Sequence, residues 1–413
     1  MLKMDKQLFD NVHGYIGVTK QELAVIDTGL FQRLRRIKQL GQADMVYPGA
    51  THTRFAHSLG TMFMIDQFAR NAVKANMDDD GLQKLRLAAL MHDIGHYPFS
   101  HTLEHEIEEK MGGVSHEKLG SSIISRFFSE RLGTFSSREI TDMISGGKGD
   151  VYGLLISSAI DADKSDYLLR DSYNTGVPYG RISVASLMRI LTFEKGRIIF
   201  EKDEAPVESF LLGRYHLYRS VVHHKAVIAF GLMLQRIYNL MVCDGAIMHP
   251  KELMNSGEED ICGYTDDAVY SAMKSYSESG KGTAGYLARM FLRREPLALA
   301  YSTTAAMENG ESPEAAAIME LEKNGKLAER IEEEAGISME WIFPTTLRTL
   351  ALIDEEKETK IYIRKEGRLI PLIESSALVL RMIGKKALHD SRVYTRKKDA
   401  KIIRKAITKI LKR

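Results

Sequence analysis

The segment from Leu82 to Asp93 limits the folds open to this chain more than any other part of the sequence. It is strongly apolar, it ends in the doublet His92-Asp93, and turn residues follow at 94–98 (IGHYP). A helix that is apolar over most of its surface has to be covered by other helices. The sequence therefore predicts a helical core, with an imidazole and a carboxylate at the end of one helix.

Most of the remaining chain also has helical patterns. Thr19 with Glu22 has the spacing of a capping box, which marks the start of a helix. Strand-like runs on either side of a Gly-containing turn predict two short hairpins, at Leu191–Glu194 with Arg197–Glu201 and at Lys360–Arg364 with Arg368–Leu372. The predicted fold class is all-α, with small β-hairpins and a helical carboxy-terminal accessory region.

The length of 413 residues allows two or three domain-sized units, and 44% hydrophobic with 27% charged residues is ordinary for a globular protein. The charged, Gly-containing stretch Met248–Gly263 is the best candidate boundary. We therefore expect a core at residues 1–245. Residues 246–413 are expected to form a mainly helical accessory region with one hairpin and a basic carboxy-terminal helix.

The cysteines and the apolar stretches indicate a soluble cytoplasmic protein. Cys243 and Cys262 are too few for a disulfide framework, which favours a reducing compartment. Residues 1–17 lack the apolar region of a signal peptide. The longest apolar stretch, Ala226–Leu234, is about half of what a membrane span needs.

The net charge of +2 conceals a basic tail. Residues 395–413 contain nine Lys or Arg and one acid, Asp399, so the rest of the chain carries −6. Such a tail can be a solvated helix end, a contact with an anionic membrane or a contact with nucleic acid. Apolar residues recur in it at helical spacing, which favours a helix that docks one face on the body, and nucleic-acid binding stays an alternative.

The histidines are concentrated in one window. Seven of the thirteen lie between His52 and His116, where even spacing would place about two. Imidazole with carboxylate suits a divalent cation such as Zn, Fe, Mn or Ni. Neighbouring side chains on a helix point about 100° apart, so His92 and Asp93 need ligands from other helices. His57 and Asp163 are the candidates.

An isolated His-Asp pair in a helical protein is more often a hydrogen-bonded core pair than a metal site. The residues that follow the doublet favour the metal site instead, because side chains that carry protons near neutral pH suit hydrolysis. They are His96, His101, Glu104 and His116.

The order His57, His92-Asp93, Asp163 resembles the H…HD…D signature of the HD-domain metal-dependent phosphohydrolases. Four longer stretches resemble the deoxynucleoside-triphosphate triphosphohydrolase branch of that family: 31–40 (FQRLRRIKQL), 47–60 (YPGATHTRFAHSLG), 92–101 (HDIGHYPFSH) and 161–171 (DADKSDYLLRD). The resemblance runs from about Lys6 to Lys225. It implies a helical HD-domain core.

The resemblance also implies an activity. One divalent ion (Fe, Mn, Zn, Ni or Mg) would be bound by His57, His92, Asp93 and Asp163. Water attack at the α-phosphate would convert a dNTP into deoxynucleoside and triphosphate. The catalytic positions of the family fall on His96, His101, Glu104 and His116.

Substrate contacts of the family fall on Gln39, Arg54, Lys164, Tyr167, Asp171 and Arg214. Asp163, Tyr167 and Asp171 follow one another at intervals of four, so one helix face could present all three. Basic side chains beside a metal suit a substrate with several phosphates. Two departures leave the preferred base open: Tyr218 stands where the family has His, and Val222 stands where it has Tyr.

A vertebrate member of the branch binds an activating guanine nucleotide between subunits, which implies a homo-oligomer, a dimer or tetramer. The matching positions here are Lys6, Asp27, Gln32, Arg35 and Arg181. Asp and Arg together suit the edge of a guanine. Phe9, however, stands where the family has Asn, and an ordinary polar network within one chain is the alternative.

Two other functions stay open at this stage. The same metal chemistry could act on another phosphate ester, such as a nucleoside monophosphate, a cyclic nucleotide or a guanosine alarmone. The protein could also be a nucleotide sensor or nucleic-acid binder with an idle metal site.

Overall fold

The structure is a computed structural model, and it describes residues 2–72, 77–146, 151–195, 197–201, 203–280, 282–303, 313–348, 361–374 and 389–412. Helices dominate these residues, as the sequence predicted. In chain order they are α1 Lys20–Ile26, α2 Gly29–Gln32, α3 Arg54–Ala72, α4 Asp79–Met91, α5 His101–Lys110, α6 His116–Phe127, α7 Ser137–Ile144, α8 Ala162–Thr175, α9 Val184–Ile190, α10 Ala205–Leu217, α11 Lys225–Cys243, α12 Glu258–Gly263, α13 Asp266–Ser279, α14 Gly282–Leu292, α15 Pro313–Lys323, α16 Leu327–Ala335 and α17 Ala400–Ile410.

Local sequence signals fix several helix ends. The predicted capping box of Thr19 and Glu22 is present at the start of α1. The side chain of Asp161 accepts the Lys164 backbone N–H and caps α8. α8 ends at Gly176, whose φ of 78° is the left-handed conformation that glycine adopts without strain.

Three small sheets accompany the helices. Their strands are β1 Lys6–Asp10, β2 Gly14–Val18, β3 Leu191–Glu194, β4 Arg197–Glu201, β5 Ala298–Ser302, β6 Phe343–Arg348, β7 Ile361–Lys365, β8 Arg368–Pro371 and β9 His389–Thr395. The strand orders are β1-β2, β3-β4-β7-β8 and β5-β9-β6. Both predicted hairpins are confirmed, and they join through a parallel β4–β7 pairing. The β1–β2 hairpin and the β5-β9-β6 sheet were not predicted.

The chain forms two compact units, each assembled from three segments. The first comprises Met1–Leu217, Ile247–Tyr270 and Leu352–Lys385, and the second comprises Tyr218–Ala246, Ser271–Ala351 and Lys386–Arg413. This division differs from the predicted boundary between residues 245 and 246. As a division into a catalytic and an accessory part, the predicted boundary stays a prediction.

The apolar helix α4, which ends before His92-Asp93, lies in the core of the first unit. Residues 87–91 of α4 are completely buried, and α4 packs against α3, which also packs against α8. The end of α4 is therefore brought to the centre of a three-helix group, as the apolar pattern required.

In the second unit, the basic helix α17 docks by one face. Ile403, Ala406 and Ile407 are buried, whereas Ile402 is half exposed. Lys409 pairs with Glu334 on α16. The expected docking is confirmed, and contact with nucleic acid stays a prediction.

Among the described residues, α11 is long and apolar enough to cross a membrane. The sequence-based expectation that the chain lacks a membrane span considered only Ala226–Leu234, a part of this helix. Because 56% of its most apolar window is buried inside the protein, and core helices of soluble proteins meet the same criteria, this helix is weak evidence for a membrane span.

Candidate metal centre

Three helices of the first unit bring the four predicted metal ligands together. His57 lies in the first turn of α3 and Asp163 in the first turn of α8, while His92 and Asp93 directly follow α4. Since α3 packs against both α4 and α8, side chains that are far apart in sequence meet here. We call these four residues the metal cluster.

The ligand atoms of the metal cluster face one another. His57 Nε2 lies 3.0 Å from Asp163 Oδ1 and 3.7 Å from Asp93 Oδ2. His92 Nε2 lies 3.2 Å from Asp93 Oδ1 and 3.7 Å from Asp163 Oδ1. Two imidazole nitrogens and two carboxylates at such distances form a donor set for a borderline or hard divalent cation.

Hydrogen bonds from outside the cluster turn Nε2 of both histidines inward. His57 Nδ1 donates to Asp166 Oδ2 at 2.7 Å, and His92 Nδ1 donates to the Ala89 carbonyl at 2.8 Å. Because carboxylates and carbonyls only accept, the Nδ1 atoms carry protons and Nε2 can bind a metal. His92 Nε2 is buried and has no hydrogen-bond partner among the described residues. These residues therefore fit one divalent ion.

The charges of the metal cluster agree with this fit. Burial alone would lower the pKa of His57, but hydrogen bonds to Asp163 and Asp166 outweigh it and raise the pKa to about 10. For His92, burial is likewise outweighed by Asp93 and Asp163, and its pKa is raised. The negative charge that causes these shifts is the charge that a bound cation would balance.

Arg54 lies beside the metal cluster with part of its guanidinium unused. The side chain is buried, Nη1 donates to Asp93 Oδ2 at 2.6 Å and Nε donates to Ser100 Oγ at 2.7 Å. Nη2 is buried without a hydrogen-bond partner in the described part of the chain. A buried guanidinium N–H needs an acceptor, and an anionic oxygen is the strongest one.

The four predicted catalytic residues form a second group next to the first, which we call the histidine–glutamate cluster: His96, His101, Glu104 and His116. Glu104 accepts hydrogen bonds from Nδ1 of His101 (2.7 Å) and Nδ1 of His116. The rings of His96 and His116 stack with centroids 3.9 Å apart. His96 Nε2 lies 3.3 Å from Asp93 Oδ1, so the two clusters adjoin.

The hydrogen bonds within the histidine–glutamate cluster run through Glu104, whereas Nδ1 of His96 is buried without a partner in the described residues. Burial would raise the pKa of Glu104, but hydrogen bonds from His101 and His116 hold it far below its usual range. Burial, Arg54 and His116 lower the pKa of His96 well below its usual value. His101 is 68% exposed whereas His96 is 1% exposed, so the cluster joins the interior to solvent. Although its ligand atoms lie close enough to hold a cation, this bonding fits proton transfer better.

A strained loop connects His96 to His101 within the histidine–glutamate cluster. Phe99 and Ser100 both have a φ of 55°, a conformation that costs a side-chain-bearing residue roughly 1–3 kcal/mol. The carboxylate of Asp266 accepts the Phe99 N–H at 2.7 Å, and Ser100 Oγ donates to the Lys38 carbonyl at 2.8 Å. These bonds hold the loop and thereby fix the start of α5, which carries His101.

The turn that follows the His-Asp doublet is packed too closely for a side chain. A Cβ at Gly95 would lie 2.1 Å from the His116 carbonyl oxygen and 2.3 Å from the Gly120 nitrogen. Glycine thus allows the turn to contact the start of α6 and bring His116 to His96. Arg33 supports the same turn, since its Nη2 donates to the His96 carbonyl at 2.6 Å.

The predicted phosphate ligands Lys164 and Arg214 lie around the start of α8. Lys164 Nζ is 2.9 Å from Asp161 Oδ2, and Arg214 Nη1 donates to the Ala159 carbonyl at 3.2 Å. Tyr167 is half-buried on α8, one turn beyond Asp163. Their roles as substrate contacts stay predictions.

The predicted sugar contacts Gln39 and Asp171 meet at a residue that the sequence did not single out. His52 Nε2 donates to Asp171 Oδ1 at 2.7 Å, and both side chains are buried. Gln39 N donates to the His52 carbonyl at 3.0 Å, next to an isolated antiparallel bridge between Lys38 and Thr53. Gln39 Oε1 and His52 Nδ1 are buried without a partner in the described residues.

Three of the predicted effector residues lie close together at α1 and α2. Asp27 ends α1, Gln32 Nε2 donates to the neighbouring Ile26 carbonyl, and Arg35 Nε donates to Gln32 Oε1 at 2.7 Å. The guanidinium of Arg35 also lies 3.5 Å from the centre of the Phe55 ring. Lys6 is exposed at the start of β1, and Arg181 is exposed between α8 and α9. Effector binding stays a prediction.

Sequence reasoning missed the residues behind the ligands. Asp166 bonds His57, His13 bonds Asp166, and Arg170 bonds both oxygens of Asp166. The spacing of Asp166 and Arg170 by four residues on a helix was a usable signal for an ion pair. No local pattern connects them to His13, which lies 153 residues before Asp166.

Comparison with known proteins agrees with this geometry. Residues 54–168 match the HD domain family, and residues 182–412 match the HD associated region. The first match begins at Arg54 and includes all four residues of the metal cluster. The second covers more than half of the chain.

An uncharacterized protein of Methanocaldococcus jannaschii is 38% identical over 65% of this chain and 55% of its own length. A protein of Dictyostelium discoideum named deoxynucleoside triphosphate triphosphohydrolase SAMHD1 homolog is 29% identical over 61% of this chain and 53% of its own length. The aligned part thus spans little more than half of each relative.

A crystal structure of a phosphohydrolase from Bacteroides thetaiotaomicron superposes on this chain with a TM-score of 0.78. It is 27% identical in sequence, and the match covers 95% of this chain and all of the other. The chain belongs to the HD-domain phosphohydrolase superfamily. Within it, the chain resembles the deoxynucleoside-triphosphate triphosphohydrolase branch.

Proposed function

We propose that the protein is a metal-dependent hydrolase that converts a deoxynucleoside triphosphate into deoxynucleoside and triphosphate. The observation that carries the proposal is the unsatisfied Nη2 of Arg54 beside a donor set for a divalent cation. A guanidinium and a cation side by side favour a phosphate group, because both neutralise its oxygens. The resemblance to the triphosphohydrolase branch indicates that this phosphate belongs to a deoxynucleoside triphosphate.

A divalent ion held by the metal cluster would polarise the phosphoryl group and lower the pKa of a bound water. Arg54 Nη2 would donate to an oxygen of the same phosphate. Lys164 and Arg214 would bind the phosphates further along. Lys164 stays cationic, because Asp161 and Asp163 outweigh the effect of burial and raise its pKa.

The histidine–glutamate cluster would supply the proton for the leaving 5′ oxygen. Glu104 is ionised throughout the neutral range, so it keeps a proton on Nδ1 of His101 and of His116. A ring that also carries a proton on Nε2 can donate it to the leaving oxygen, and a proton from the attacking water replaces it. His96 is uncharged near neutral pH, and it can hydrogen-bond a phosphate oxygen without adding charge.

The pair of His52 and Asp171 would form the wall on the sugar side. Asp171 is fixed by His52, and Gln39, whose backbone N–H bonds the His52 carbonyl, offers an unsatisfied acceptor in its Oε1. A sugar hydroxyl can donate to that oxygen and remove the cost of leaving it unpaired. We propose the effector site and the homo-oligomeric assembly as accompanying features.

Product identification tests the proposed function. The protein would be depleted of metal, reloaded with Mn, Mg or Ni, and incubated with each dNTP, with and without GTP. Release of deoxynucleoside with intact triphosphate supports the proposal. Release of orthophosphate, or opening of a cyclic nucleotide, would instead assign the same centre to another phosphate ester.

The control is a variant in which His92 and Asp93 are both replaced by alanine. Turnover that survives this double change would exclude the metal cluster as the source of activity. Absence of hydrolysis with every dNTP and every metal would contradict the proposed substrate.

A further inference from the structure

Behind the metal cluster lies a group of buried polar side chains that the proposed reaction does not use. We call Asp10, His13, Asp166 and Arg170 the positioning network. Asp166 Oδ2 accepts from His57 Nδ1 at 2.7 Å, and Asp166 Oδ1 accepts from His13 Nε2 at 2.6 Å. Arg170 donates to both of these oxygens at 2.9 Å. Asp166 is completely buried and accepts four hydrogen bonds.

The amino-terminal hairpin delivers His13 to this network. Asp10 Oδ1 accepts the backbone N–H groups of Val12 and His13, both at 2.9 Å, and so shapes the turn between β1 and β2. Asp10 Oδ2 also accepts from Arg170 Nη1 at 2.8 Å. The ring of His13 stacks on Phe63 of α3, with centroids 4.9 Å apart. The turn is therefore fastened to both α3 and α8.

Close packing leaves the network little freedom to shift. A Cβ at Gly60 would lie 1.9 Å from Asp166 Oδ1 and 2.4 Å from Arg170 Nη2. The ion pair thus lies directly against α3, one turn beyond His57. Since carboxylates only accept, Asp166 requires a proton on His57 Nδ1 and on His13 Nε2.

We propose that His13 is a positioning residue of the metal centre. Its Nε2–H holds Asp166, and Asp166 holds the ring orientation and tautomer of His57, which leaves His57 Nε2 available for a cation. The hairpin is thus part of the metal centre, although none of its residues touches the metal cluster's ligand atoms directly in the described structure. The inference rests on the proposed metal centre and is independent of the substrate.

The test measures Co²⁺ affinity and the visible absorption of the Co²⁺-loaded protein, with no nucleotide present. Loss of an outer hydrogen-bond partner of a metal ligand typically weakens metal binding about 10- to 100-fold. We expect an effect in that range for Asp166→Asn and about 10-fold for His13→Phe, which keeps the ring stacking but removes the donor. His13→Gln restores an N–H donor and should bind within a few-fold of the unaltered protein.

The matched control is His105→Phe, because His105 is an exposed histidine on α5, away from the network. An unchanged Co²⁺ affinity and spectrum in His13→Phe would overturn the proposal. Equal weakening by His13→Phe and His13→Gln would also overturn it, since the donor would then not matter. Because the assay contains no substrate, hydrolysis of a different ester would change the proposed function and leave this result standing.

Discussion

The metal cluster and the histidine–glutamate cluster are neighbours built from the same residue types, yet they bond in opposite ways. In the metal cluster the histidines donate from Nδ1 to acceptors outside the cluster, Asp166 and the Ala89 carbonyl, and their Nε2 atoms face inward. In the other cluster the hydrogen bonds run within the group, through Glu104. The pKa of His57 is raised, and that of His96 is lowered.

This contrast shows that residue type alone does not decide what a histidine does. A ring among carboxylates becomes a cation ligand, whereas a ring between a guanidinium and another imidazole becomes a neutral hydrogen-bonding group. Asp93 belongs to both environments, since Oδ1 lies 3.2 Å from His92 Nε2 and 3.3 Å from His96 Nε2. Variants that affect one cluster at a time can separate the two roles.

The largest effect should follow from removing the metal cluster's doublet. In the His92→Ala, Asp93→Ala double variant two of four ligands are lost, so we expect loss of bound metal and a fall in turnover of roughly 10³-fold or more. Metal analysis of the purified protein and steady-state rates measure this. His105→Ala is the control, because its side chain is 69% exposed. Full metal content in the double variant would contradict the assignment.

Glu104→Gln should impair the histidine–glutamate cluster and leave the metal cluster intact. The amide keeps the shape of the side chain, but it has one acceptor oxygen and cannot accept the Nδ1–H bonds of both His101 and His116 as the carboxylate does. We therefore expect kcat to fall about 10²- to 10⁴-fold. Metal content should stay that of the unaltered protein, because Glu104 bonds His101 and His116 rather than the metal ligands. A variant that lost its metal would show that the clusters are not separate.

Gly95→Ala should displace the two clusters relative to each other. The new methyl group would meet the His116 carbonyl oxygen at 2.1 Å, and a displacement near 1 Å at a catalytic group can cost about 10²-fold in rate. We expect kcat/KM to fall by that order, with metal still bound. The matched control is Gly263→Ala, where the added carbon would meet nothing in the described structure within 4 Å beyond its chain neighbours and its own helix backbone. Equal rates for both variants would contradict the packing argument.

The smallest effect concerns the loop between His96 and His101, and it depends on pH. Burial raises the pKa of Asp266 to about 6, because it outweighs the backbone N–H bonds from Phe99 and Lys38, which lower the pKa. The folded state therefore binds the proton more tightly than the unfolded state. The stability this confers is complete below the ordinary pKa of 3.8 and is lost as the pH rises through 6.

Urea unfolding at pH 7.5 and pH 5 measures this linkage. On acidification the unaltered protein should gain about 1 kcal/mol of unfolding free energy relative to Asp266→Asn, which cannot titrate. An identical pH dependence in the two proteins would show that Asp266 has an ordinary pKa.

Local sequence signals predicted most of the elements that depend on neighbouring residues, although the β1–β2 hairpin was missed. The capping box at Thr19, the apolar α4 and the β3–β4 and β7–β8 hairpins are of this kind, because each is specified within a few consecutive residues. The β5-β9-β6 sheet was missed, because it pairs Ala298 with Thr395 and Phe343 with Tyr394. Such distant pairings leave no periodic trace in either segment alone.

By itself the sequence determined which side chains are available for chemistry: an imidazole and a carboxylate at the end of a buried helix, and two further ligand candidates on other helices. Residue type fixes this, since only certain atoms bind a cation. The tertiary structure decided the rest, including which nitrogen of His57 faces the cluster, that Arg54 keeps an unsatisfied N–H and that His13 stands behind Asp166. Those outcomes depend on hydrogen bonds between residues far apart along the chain, and only packing brings such residues into contact.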